Sequence, residues 1–92
     1  MLKIKASSHF KKDLKRFKHN HSGARQELDK VFELLAREEP LPEKYQDHRL
    51  SGKWNLAREC HVKPDVLLIY SIDQIMKQLN LVRLGSHSDL FV

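Results

Sequence analysis

Five consecutive apolar residues, Val66-Leu67-Leu68-Ile69-Tyr70, constrain this chain more than any other feature. β-branched and aromatic members mark a strand, and the unbroken apolar run marks one buried on both faces. Such a strand must lie inside a sheet, with neighbours on either side. Trp54 to Val62 reads as one neighbour, turned by Lys63-Pro64. Gln78 to Leu84 reads as the other, reached through a turn around Asp73-Gln74 and stopped by Gly85. Strands joined by such short turns pair antiparallel.

The first half has a different period. Residues 2–6 alternate apolar and basic, as a short half-buried strand does. Ser7 and Ser8 are good helix caps, and Phe10, Leu14 and Phe17 follow at i, i+4 and i+7, which predicts a helix over about residues 8–19. Asn20-His21-Ser22-Gly23 breaks it, with Ser22 placed to cap a second helix bearing Leu28, Val31, Phe32 and Leu35 on one stripe. Pro40 stops that helix by disfavouring a helical conformation before it. Residues 40–47 read as a loop, and His87 to Val92 as a tail of about one helical turn. The expectation is an α+β fold of one domain over residues 1–92. Its N-terminal strand and αα-hairpin pack on a small, mostly antiparallel twisted sheet.

Composition narrows the setting. No apolar run approaches the roughly 18 to 20 residues of a membrane span, and the N-terminus shows no signal-peptide core. The single cysteine, Cys60, has no partner for an internal disulfide, which fits a reducing compartment and a cytoplasmic protein. Lys and Arg number 17 against 12 Asp and Glu. The surplus concentrates in residues 1–20, where seven basic residues meet one acid, Asp13. Such a field attracts a phosphate backbone or an acidic protein segment, although a solvated helix face has the same composition.

Chemistry gathers in the second half. His48, His61, Asp65 and His87 sit at the ends of the expected strands. Imidazole, with an unperturbed pKa of about 6.5, both takes and gives a proton near neutrality. His61 and Asp65 flank the Lys63-Pro64 turn, so they are expected to face each other across the hairpin. An antiparallel last strand returns His87 to the same end of the sheet, while the loop before His48 leaves that residue free to join them. His9, His19 and His21 read as surface histidines, and Trp54 and Tyr70 as core. The His and Asp set would also suit zinc or iron. No pair has helical HxxxH spacing, however, and the neighbouring positive charge opposes a cation. Ser86 and Ser88 lack a nucleophile-elbow pattern. Acid–base chemistry on a polyanion is the favoured reading.

Three ordered blocks carry a resemblance. They are Asp47-His48-Arg49-Leu50-Ser51-Gly52-Lys53-Trp54, Arg58-Glu59-Cys60-His61-Val62-Lys63-Pro64-Asp65 with Leu68-Ile69-Tyr70, and Arg83-Leu84-Gly85-Ser86-His87-Ser88-Asp89-Leu90-Phe91. In these the chain resembles the YafQ branch of the RelE/ParE toxin superfamily. The resemblance implies a ribosome-dependent mRNA endoribonuclease of a type II toxin–antitoxin pair, working without metal or other cofactor. It implies His48, His61, Asp65, His87 and Phe91 as catalytic residues, with Arg83, Arg58 and Lys53 on the substrate. The implied partners are a ribbon-helix-helix antitoxin of RelB or DinJ type, mRNA and the ribosome, and operator DNA through the antitoxin complex. The alternatives on the same fold are a ParE-like gyrase inhibitor and a non-catalytic co-repressor.

Overall fold

A computed structural model describes residues 1–20, 22–52 and 57–91, without the side chains of residues 19, 20 and 22. The expectations placed on His19, His21, Lys53, Trp54 and Val92 lie outside the described residues or side chains.

The chain runs β1 (Lys3–Ala6), α1 (Ser8–Asn20), a 3-10 turn (Ser22–Ala24), α2 (Arg25–Ala36) and a second 3-10 turn (Glu43–Tyr45). It continues through β2 (His48–Arg49), β3 (Arg58–Lys63), β4 (Val66–Asp73), β5 (Gln78–Gly85) and α3 (His87–Phe91). Among the described residues five strands form one sheet in the order β1-β5-β4-β3-β2, antiparallel except where β1 pairs in parallel with β5. The expected α+β architecture is what is found. The apolar run is the central strand, and Val66 through Tyr70 are all buried. No helix among the described residues is long and apolar enough to cross a membrane.

Ser7 is the pivot between β1 and α1. Its Oγ accepts the Phe10 N–H at 2.9 Å, capping the helix, and donates to the Val82 carbonyl at 2.8 Å. α1 buries Phe10, Asp13 and Phe17 and turns its lysines and Arg16 to solvent. The second helix departs from expectation at its start: it opens at Arg25 behind the Ser22–Ala24 turn, and Ala24 supplies no side-chain cap. It ends by a local closure, in which the amides of Glu38 and Glu39 reach the Leu35 and Leu34 carbonyls while Glu38 takes a left-handed φ of 57°. The helix stripes meet Cys60, Val62, Leu68, Tyr70, Leu79, Leu81 and Leu84 on one face of the sheet.

The opposite face positions the chemistry. Side chains alternate faces along a strand and paired residues share one. Glu59 pairs with Ile69, His61 with Leu67, and Leu67 with Gly85, so these five residues project from the face away from α1 and α2. Gly85 lies under α3, where a Cβ would stand 3.1 Å from both Cβ and Oδ2 of Asp89. The short helix is therefore seated on the same face as His61. A reciprocal cap holds it there: the Asp89 N–H reaches Ser86 Oγ at 3.2 Å, and the Ser86 N–H reaches Asp89 Oδ2 at 3.0 Å.

Candidate active site

His48 and His61 come from adjacent strands, with ring centroids 6.3 Å apart. His48 pairs with Glu59 across β2 and β3, and Glu59 lies two residues before His61, so strand alternation gathers all three on one face. Glu59 is 6% exposed. Its Oε1 lies 3.4 Å from His48 Nε2 and 3.7 Å from His61 Nε2, contacts that become ion pairs when the rings are protonated. His48 Nδ1 is 2.7 Å from the Gln46 carbonyl, which can only accept, so that nitrogen carries a proton and Nε2 is the one turned to Glu59. Asp47 anchors the short β2 strand from the other face. It accepts a hydrogen bond from the Tyr70 hydroxyl at 2.5 Å and a bond from Arg58 Nη2 at 3.1 Å. Burial, then that contact with Asp47, keeps the Tyr70 phenol protonated well beyond its ordinary range.

The other wall is α3 with the end of β5. His87 and Phe91 lie one turn apart on α3, with ring centroids 5.0 Å apart. Leu67 and Ile69 of β4, the strand between β3 and β5, are buried on the same face. His61 and Gly85 are both partners of Leu67, so roughly two strand spacings, about 10 Å, separate the β3 and β5 walls at this end of the sheet. Arg83 stands beside the second wall. β1 covers β5 only as far as Leu81, and beyond it Asp13 of α1 takes over the strand's free edge. Asp13 accepts Arg83 Nε at 2.7 Å, Arg83 Nη2 at 3.2 Å and the Leu84 N–H at 3.0 Å. The bond to Asp13, with further charge from Asp13 and Asp89, raises the Arg83 pKa beyond its ordinary value.

One expected juxtaposition needs correction. Asp65 does not face His61: a register shift between His61 and Lys63 sets Lys63 opposite Val66 and His61 opposite Leu67, leaving Asp65 exposed in the turn. The carboxylate within reach of the imidazoles is Glu59, which the sequence reading passed over although its i, i+2 spacing from His61 places both on one face. Arg58 likewise stands apart. It neighbours Glu59 in the strand, so it projects from the other face, where its guanidinium is held by Asp47. Lys53 lies outside the described residues. Among the described residues no group of three or more His, Cys, Asp or Glu side chains is arranged to hold a metal ion.

Comparison with known proteins identifies the family of the chain. The profile of a family described as the bacterial toxin of type II toxin–antitoxin system, YafQ, matches residues 2–92. The mRNA interferase toxin YafQ of Escherichia coli K12 is 35% identical over 88 residues, covering 96% of this chain and 94% of the relative. A metal-bound toxin from Helicobacter pylori, known from its crystal structure, is 50% identical with a TM-score of 0.91, covering 99% of this chain and 100% of that one. YafQ in the E. coli DinJ–YafQ complex is 35% identical with a TM-score of 0.88, each chain covered in full. With its fold and nearly its whole length matched, the chain belongs to the YafQ family of toxins from bacterial type II toxin–antitoxin systems.

Proposed function

We propose that this chain cuts mRNA on the translating ribosome by side-chain acid–base catalysis, using the RNA's own 2′-OH as nucleophile. At the coarser level, the chain is an mRNA interferase, an endoribonuclease, as its curated relatives are named. The observation that carries the finer reading is the pair of imidazoles, 6.3 Å apart, sharing one buried carboxylate.

In this reading His48 or His61 takes the 2′-OH proton and the resulting oxyanion attacks phosphorus. The P–O5′ bond breaks, and His87 from the opposite wall protonates the departing oxygen. A positioned acid or base contributes typically 10²- to 10⁴-fold each. Glu59 orients the two rings. Arg83, held by Asp13, offers its charge to the phosphate as negative charge develops. Phe91 stacks on a base, worth about 1–3 kcal/mol. Asp65 belongs to the set supplied by family resemblance, and from the turn it reaches substrate only at the rim.

The partner in this reading is a ribbon-helix-helix antitoxin. It lays an acidic segment, ordered on contact, along the lysine-rich outer side of α1, and the pair binds operator DNA through the antitoxin. The E. coli DinJ–YafQ toxin–antitoxin complex supports an antitoxin as partner.

The test is to map transcript 5′ ends on programmed ribosomes with the purified chain and with His87→Ala. The variant is expected to keep its fold, since His87 is exposed, and to lose cleavage by at least about 10²-fold. A fully active His87→Ala protein would sink the assignment.

A further inference from the structure

Beyond Glu59 the outer edge of β3 faces the Glu43–Tyr45 turn instead of a strand. The space left there is a cleft of about 460 Å³, lined by Glu27, Lys44, Tyr45, His61, Val62 and Lys63 among others. That volume falls within the roughly 300 to 1,000 Å³ of small-ligand sites. The walls are mixed. Val62 and the Tyr45 ring are buried apolar surface, while Lys44 and Lys63 are exposed cations. Glu27 is the polar centre: its Oε2 accepts the Tyr45 hydroxyl at 2.5 Å, and Lys44 Nζ is 3.7 Å away. The Tyr45 bond, reinforced by Lys44, Lys30 and Lys63, holds the Glu27 carboxyl below its ordinary range, so it is an acceptor at neutral pH. His61 connects this cleft to the imidazole pair.

We propose that the cleft is a nucleotide subsite for the RNA residue adjoining the scissile phosphate, with Lys44 and Lys63 on phosphate and Glu27 accepting hydrogen bonds from the base. The inference rests on the ribonuclease reading and extends it to substrate choice. Continuity with His61 and the paired lysines favour a nucleic-acid strand as occupant. A carboxylate selects bases with an exocyclic amine, adenine, cytosine or guanine. It disfavours uracil, whose single N–H lies between two carbonyls.

The test uses ribosomes programmed with transcripts that carry each of the four bases on either side of one cleavage site. Wild type is compared with Glu27→Gln and with Lys44→Ala/Lys63→Ala, and urea unfolding reports the fold of each. Glu27→Gln, which supplies a donor, is expected to relax discrimination against uracil at one adjoining position by about tenfold. The double lysine variant is expected to raise KM more than it lowers kcat, and to flatten the salt dependence by about 1.4 in log–log slope. Wild-type cleavage with base preference, KM and salt slope unchanged in folded variants would overturn the subsite and leave the ribonuclease standing. A wild-type chain that cuts no RNA would bring down both.

Discussion

Replacing Asp13 should cost this protein a large part of its stability, although Asp13 lies in a lysine-rich helix and looks like a surface residue in the sequence. Its side chain is 2% exposed and accepts three hydrogen bonds, two from the Arg83 guanidinium and one from the Leu84 amide. Removing one partner of a buried ion pair costs about 3–5 kcal/mol, because the other is left uncompensated. Arg83 keeps 24% of its side chain in solvent, so water takes up part of its lost bonding. The lower end, about 3 kcal/mol, is expected for Asp13→Ala. A domain of this size holds roughly 5–15 kcal/mol in total. The fall in Tm should be about 12–24 °C, at roughly 4–8 °C per kcal/mol. Urea unfolding followed by circular dichroism measures the first quantity and thermal scans the second. A double-mutant cycle with Arg83→Ala should return a coupling of about 2 kcal/mol. A loss below about 1 kcal/mol for Asp13→Ala, with no coupling, would mean the pair behaves as an ordinary surface contact. The account of how Arg83 is held would then be wrong.

Other expectations follow from the same geometry. Glu59→Gln should lower kcat for RNA cleavage more than Asp65→Asn does, because Glu59 touches both imidazoles and Asp65 sits in the turn; the reverse order would restore Asp65 as the carboxylate that matters. Gly85→Ala puts a methyl group 3.1 Å from the Asp89 side chain, which must give by a few tenths of an ångström at the start of α3; activity should fall severalfold at a stability cost of about 1–3 kcal/mol, and an unaltered rate would show that Asp89 yields without disturbing α3. Burial lifts the Cys60 thiol to about 12 from 9, and burial with Glu27 lifts Tyr45 to about 12 from 10. The unfolded chain therefore loses these protons first. Stability from this source is intact below about pH 9 and declines from there towards 12, and urea midpoints that stay flat across this range would contradict the burial of both groups. Cys60 should also resist a thiol reagent until the chain unfolds, as followed by release of the reagent's chromophore.

Much of the fold was legible because each element announces itself locally. The apolar run of β4 demands a central position, the stripes of α1 and α2 require a covering sheet, and short turns leave only antiparallel pairing for β3, β4 and β5. The parallel pairing of β1 with β5 has no local signature, since it joins opposite ends of the chain. At the site, the histidines were visible because imidazoles at strand ends are unusual. Glu59 was hidden among charged neighbours, although its spacing from His61 carried the information. Asp65 was misplaced because pairing across a turn depends on where the register shifts, which residue types alone do not reveal. Asp13 had a signal that went unused: it stands three residues after Phe10 and four before Phe17, on the face those two rings bury.

Ser7 bonds to Val82, 75 residues further along the chain, and β5 stands between β1 and β4. The first strand synthesised thus waits for the last before it has a neighbour. Such distant closure makes folding slow relative to the formation of α1 and α2. During synthesis, Arg83, His87 and Phe91 emerge after His48 and His61, so the two sides of the site are made at different times. Folding intermediates that hold α1, α2 and the β2–β3 hairpin therefore present one wall of the site before β5 and α3 supply the other.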